Sequence, residues 1–315
     1  MSRTALVLAA HGSRLHSTVN AEVRRCATRL AASADFNEVA VAFHQGTPSF
    51  AEVLDSLDAD DVTVVPFMTS EGYYSRVVLP RELAKNPRFA EKSVRITPPV
   101  GTHPAIVDLV ARRVRDRRAE NDLAASATSV AVVGHGTERH RASRMATLDL
   151  CDALRRRGLA AEVLPAFLDE APGVNTILTR AAAANVVVVP FLIGAGPHAT
   201  RDIPGALGIG RRDAVSLPVV GSVGDRRVVC DAPVGGDPGI IDILGALVLP
   251  DTSFDGSYPG PGVHAGRTAT RPARHKRRGS GRGTIPATHQ FTGNGPLAGA
   301  TERCVAAGSG EERAG

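Results

Sequence analysis

LVLAAHGSR at residues 6–14 and VAVVGHGTE at residues 130–138 are two copies of one pattern, an apolar run that ends on His-Gly. His11 and His135 stand 124 residues apart, and the same offset links Val65-Pro66-Phe67 to Val189-Pro190-Phe191, Gly72 to Gly196, Pro80 to Pro204 and Phe43 to Phe167. A shared offset across separated landmarks marks an internal duplication. Further on, PVGTHPAIVDLV from Pro99 returns as PVGGDPGIIDIL from Pro233 at an offset of 134, so the second copy holds ten extra residues between Pro204 and Pro233. The copies divide the chain into halves at 1–122 and 123–250, and residues 251–315 follow as a tail.

Within the first half, β-branched apolar runs at 4–10, 39–43, 62–67 and 94–97 alternate with helical patterns. In 18–32, for example, Val19, Val23, Cys26 and Leu30 recur at three- and four-residue spacings. Such alternation predicts an α/β fold, each half a parallel sheet with helices on both faces. Ligands of these sheets bind beyond the carboxyl ends of the strands. His11, His44, Glu71, Tyr73, Tyr74, His135, Asp169 and His198 all follow predicted strands, so they are expected on one edge.

Composition removes several function classes. The net charge is +5, but residues 251–315 hold nine Lys/Arg and five Asp/Glu, which leaves the body nearly neutral. A nucleic-acid-binding domain carries its basic face on a folded element, so no nucleic-acid partner is expected. The tail, basic and rich in Gly, Pro and Arg, is expected to be disordered. Runs such as 5–10 and 186–193 are far shorter than the roughly 18 residues a membrane helix needs, and no signal peptide is recognisable, so a cytoplasmic protein is expected. Cys26, Cys151, Cys230 and Cys304 form no Cys-x-x-Cys pair, and Cys26 and Cys151 read as helix-core residues. No Gly-x-Gly-x-x-Gly or Walker loop follows any strand, which argues against a nucleotide cofactor.

In the second half, His135 and His198 follow the first and third strands, and Asp169 and Glu170 follow the second. Two imidazoles and a carboxylate from three strand ends suit an open site for a divalent ion; the two acidic residues are also placed to cap a helix near Pro172. Gly134, Gly136, Gly194 and Gly196 would let a flat ligand approach the backbone. Arg14, Arg76, Arg139, Arg144 and Arg201 lie in or beside these loops, where they suit an acidic substrate. The first half keeps His11 but has Tyr74 at the position of His198, with His44 and Glu71 as alternative ligands or substrate contacts.

At these motifs the chain resembles the class II, ATP-independent chelatases, the family of sirohydrochlorin ferrochelatases and anaerobic cobalt chelatases. LVLAAHGSR resembles the family's opening strand and histidine, VPFLIGAGPHATRDIP the segment with its second histidine, and AFLDEAP the acidic segment between them; the likeness covers residues 1–250. It implies two flavodoxin-like half-domains facing across a cleft, a tandem form of an enzyme that is elsewhere a homodimer of short chains. It further implies insertion of Fe²⁺, Co²⁺ or Ni²⁺, as substrate, into a sirohydrochlorin-type tetrapyrrole, with no permanently bound cofactor.

Carried over by position, His135 and His198 handle the metal and accept protons, Asp169 or Glu170 takes the acidic role, and His11 matches the motif in the first half. Arg201, Arg139, Gly136, Gly196, Arg14, Glu71 and Tyr74 are the expected substrate contacts. The sequence departs from the family pattern at Tyr74, where a histidine is expected, and at Gln45 and Asp169, where a glutamate is. A single centre on the second half is the preferred arrangement, with a centre of His11, His44 and Glu71 as the reverse one. A non-catalytic metal or tetrapyrrole carrier is the competing function, and either a monomer or a homodimer could hold the site.

Overall fold

A computed structural model describes residues 3–32, 36–137, 141–210 and 214–248. The tail at 251–315, Arg139 and Cys304 lie outside the described residues. The first half runs β1 (Thr4–Gly12), α1 (Ser17–Ala31), β2 (Glu38–Gln45), β3 (Asp61–Pro66), α2 (Leu79–Leu83), β4 (Ser93–Ile96) and α3 (Ala105–Glu120). The second runs β5 (Thr128–Gly134), α4 (Arg141–Arg156), β6 (Glu162–Phe167), α5 (Ile177–Arg180), β7 (Asn185–Pro190), α6 (Ile203–Ala206), β8 (Val219–Val223), β9 (Arg226–Cys230) and α7 (Ile240–Val248). The strands and the first helix fall within two residues of where the apolar runs place them.

The first sheet is fully parallel in the order β2-β1-β3-β4. The second repeats it as β6-β5-β7-β9, with β8 added antiparallel to β9 at the edge. The extra residues of the second copy thus build an edge hairpin, which the expectation of a purely parallel sheet did not include. Its two-residue turn opens with Gly224 at φ +58°, a conformation that favours glycine.

Strand β1 is buried on both faces from Ala5 to Ala10, which is why it reads as one apolar run rather than an alternation. Ala5, Val7, Ala9, Val62 and Val64 face α2 and the 53–56 turn, while Ala131, Val133, Val186 and Val188 face α5 and α6. The opposite faces of the two sheets share one continuous core with α1, α3, α4 and α7, so the described residues form a single compact unit.

Within that core the last helix of each half is exchanged. Helix α3 packs on β7 of the second sheet, and α7 packs on β3 of the first. Arg95 on β4 donates from Nη2 to the carbonyl of Val248 at 2.9 Å, tying the end of α7 to the first sheet. In the other direction, buried Arg113 of α3 donates to Asp231 Oδ2 (2.9 Å from Nε, 2.7 Å from Nη2) and to the carbonyls of Ala232 and Pro233, just past β9. The repeat counterparts of this pair, Leu247 and Thr97, carry no charge. None of the described helices is long and apolar enough to cross a membrane.

Candidate functional site

In each sheet the strand order reverses beside the central strand, at β1/β3 and at β5/β7, and such switch points open a crevice at the carboxyl ends. His135 follows β5 directly, and His198 opens a π-helical turn, His198–Asp202, beyond β7. Single π turns of this kind are frequent at functional sites. The two imidazoles meet edge to face with ring centroids 5.6 Å apart. The separation of 63 residues is closed because β5 and β7 are paired neighbours.

Each of these rings has a carboxylate on its Nδ1 side. His135 Nδ1 lies 3.1 Å from Asp169 Oδ2 and 3.1 Å from the carbonyl of Gly136. Asp169 is held there because its own amide and that of Leu168 donate to the carbonyl of His135 at 3.0 and 3.1 Å. His198 Nδ1 lies 2.8 Å from Asp202 Oδ2, and Arg201 Nε donates to the other oxygen at 3.0 Å. Burial alone would raise the Asp202 pKa, but hydrogen bonds from Arg201 and His198 outweigh it and hold the carboxyl below its ordinary value. Carbonyls and carboxylates only accept, so both Nδ1 atoms carry a proton and the Nε2 lone pairs are left to face a ligand. This is how second-shell acceptors orient metal-binding imidazoles.

The first half builds a different centre at the same place. His11 Nδ1 makes the corresponding bond to the carbonyl of Gly12 at 3.1 Å, but Gln45 stands where Asp169 does. Tyr74, at the head of the matching π turn Tyr74–Val78, packs edge-on against His11 with centroids 4.6 Å apart. His44 lies 5.0 Å from Tyr74 and 5.4 Å from His11. Burial, then the charge of His11, lowers the His44 pKa. Glu71 is paired with Arg76 at 3.1 Å rather than joined to the imidazoles.

Among the described residues no group of three or more His, Cys, Asp or Glu side chains is arranged to enclose a metal ion. Of the expected set of His135, His198, Asp169 and Glu170, the structure brings the two imidazoles together. Asp169 sits behind its ring, and Glu170 turns to Arg144 at 3.5 Å. Two exposed imidazole nitrogens would suit an ion that must be given up, because structural sites close with four ligands.

The glycines have reasons within the chain. Gly136 adopts φ +70°, and a Cβ there would lie 2.7 Å from Glu170 Cγ; at Gly196 it would lie 3.0 Å from Val19 of α1. Arg14 and Arg201 are exposed beside their loops. A cavity of about 390 Å³ lies elsewhere, between α3 and residues 231–238, where Arg113, Asp231 and Asp237 satisfy one another. Asp202 was not singled out from the sequence, although its i, i+4 spacing from His198 is the signal that marks it.

The CbiX family matches the chain twice, over residues 5–117 and 129–249. A curated relative, the probable sirohydrochlorin cobaltochelatase of Halobacterium salinarum, is 30% identical over 290 residues, covering 85% of this chain and 97% of that protein. Among solved structures, a multi-domain protein of Deinococcus radiodurans with structural similarity to chelatases is 26% identical at a TM-score of 0.65. It aligns with 79% of this chain, which spans only 55% of that protein's length. CbiX, described as the terminal enzyme of siroheme biosynthesis in denitrifying bacteria, shares the fold at a TM-score of 0.59 and 23% identity, over 78% of this chain and 98% of its own.

Proposed function

This chain belongs to the CbiX family of metal chelatases, and from that premise we propose that it inserts a divalent metal into a sirohydrochlorin-type tetrapyrrole without ATP. Cobalt is the first choice of metal, supported by the name of the halobacterial relative, with iron second. The observation that carries the reading is the His135–His198 pair, 5.6 Å between rings, each imidazole backed by its own carboxylate.

The two Nε2 atoms hold the incoming ion weakly, between only two protein ligands. As the macrocycle nitrogens take the metal, the imidazoles accept the displaced pyrrole protons, and Asp169 and Asp202 stabilise the imidazolium that results. Insertion needs positioning and deprotonation rather than an energy source, in keeping with a sequence that lacks phosphate-binding loops. Arg201 and Arg14 are suited to the acidic side chains of the substrate.

The test is the visible absorption change of sirohydrochlorin with Co²⁺ or Fe²⁺ under anaerobic conditions. His135→Ala and His198→Ala are each expected to slow metallation by about 10²–10⁴-fold, the usual contribution of a positioned general base. A loss confined to His11→Ala would move the centre to the first half. Wild-type protein no faster than the protein-free reaction would leave a carrier.

A further inference from the structure

The two π-helical turns occupy the same place in the repeat but differ in kind. Pro197, His198, Arg201 and Asp202 in the second half correspond to Tyr73, Tyr74, Val77 and Val78 in the first. His198, Arg201 and Asp202 of the reactive turn are thus each replaced by an aromatic or aliphatic residue, while Arg76 stands at the place of Thr200, yet Tyr74 and Val77 of the turn stay exposed. Tyr73, Tyr74 and Val77 are 46%, 39% and 44% exposed, an unusual concentration of large apolar side chains on one short stretch. Tyr74 stands among His11, His44 and Tyr73, with ring centroids at 4.6, 5.0 and 5.9 Å, so four rings form one contiguous cluster.

The first half meets the reactive half close by in sequence. Gly194 and Gly196, in the loop that leads into His198, lie against Val19 near the start of α1, eight residues after His11. The segment that carries the second imidazole thus meets the first half at the helix that follows His11.

Accepting the chelatase reading, we infer that His11, His44, Tyr73 and Tyr74 are a stacking platform for one face of the planar conjugated macrocycle, so that the first half binds what the second half metallates. A flat π system gains most from rings that are already fixed against one another, and sequence-tolerant stacking of this sort is how aromatic side chains hold nucleobases. The loss of the histidine at position 74 then changes the role of this half rather than leaving it inert.

The chain makes the test simple, because it has no tryptophan and only three tyrosines, Tyr73, Tyr74 and Tyr258. With Tyr258→Phe as background, metal-free sirohydrochlorin is titrated into the full chain, and into its His198→Ala version to prevent turnover, while tyrosine emission is followed. Quenching that saturates alike in both is expected. Tyr73→Leu with Tyr74→Leu should weaken macrocycle binding, read from its own absorption, by about tenfold or more, with KM carrying most of the change in turnover. Tyr74→Phe, which keeps the ring, should restore affinity relative to Tyr74→Leu. Turnover by the wild type with no quenching and an unchanged KM in the double variant would overturn the platform alone. Absence of both turnover and macrocycle binding would overturn the chelatase reading and the platform with it.

Discussion

His198 Nδ1 and Asp202 Oδ2 lie 2.8 Å apart across a single π-helical turn, and their repeat counterparts, Tyr74 and Val78, have lost the imidazole and the carboxylate together. A carboxylate fixed on Nδ1 makes the opposite nitrogen a better ligand and a better base. Asp202→Asn is therefore expected to lower metal affinity or turnover by about 10–100-fold, the usual cost of losing a second-shell partner. Asp202→Glu should recover part of it. Steady-state turnover and metal titration of the three proteins check this, and equal activity in all three would mean that His198 is oriented by the turn backbone instead.

Arg113 and Asp231 hold α3 onto the second sheet as a buried ion pair. Removing one member leaves the other charged in a dry site, so Arg113→Leu should destabilise the fold by about 3–5 kcal/mol. Pairing it with Asp231→Thr installs the residues found at the repeat counterparts, Leu247 in the second half and Thr97 in the first, and should restore much of that loss. Denaturant midpoints of the single and double variants measure it; equal midpoints for the two would show that the partner charge is not what matters.

Gly136 and Gly158 both have positive φ, +70° and +60°, but only Gly136 is crowded. An alanine at Gly158 meets open space and should cost about 1–2 kcal/mol from the backbone conformation alone. Gly136→Ala must also displace Glu170 and Phe167, so its midpoint should fall further, and the shift next to His135 should reduce metallation as well. Thermal melts with activity assays on the two variants make the comparison.

Burial raises the pKa of Cys26 to about 11 and of Cys151 and Cys230 to about 12. At pH 8 these three thiols should resist a disulfide reagent in the native protein and react only on unfolding. Because the folded values lie above the ordinary one of 9.0, their contribution to stability is complete below pH 9 and is lost as the pH rises through 11–12. Thiol titration with and without denaturant, and melts from pH 8 upward, would test both statements.

Much of this was legible in the residues. The His135–His198 pairing follows from the repeat and the strand-end rule, because parallel neighbours such as β5 and β7 bring their following loops together. The β8–β9 hairpin was missed although Gly224-Asp225 lies between two valine-rich runs, the pattern of a tight turn. The sequence places Asp169 and Glu170 near His135 but does not show which way their carboxylates turn, one toward the His135 ring and the other toward Arg144. The exchange of α3 and α7 had no sequence signal, since an apolar helix face records that it will be covered and not by which sheet.

That exchange sets the order in which the protein can be completed during synthesis. The first sheet is translated by Ile96, yet its β3 side is covered by α7, which ends at Val248. A nascent first half therefore emerges from the ribosome with an apolar surface it cannot close by itself, while α3, already made, waits for a sheet not yet translated. Exposed apolar surface of this kind makes a partly folded chain prone to aggregate, and interrupting it between the halves would leave two fragments that must find each other before either is finished.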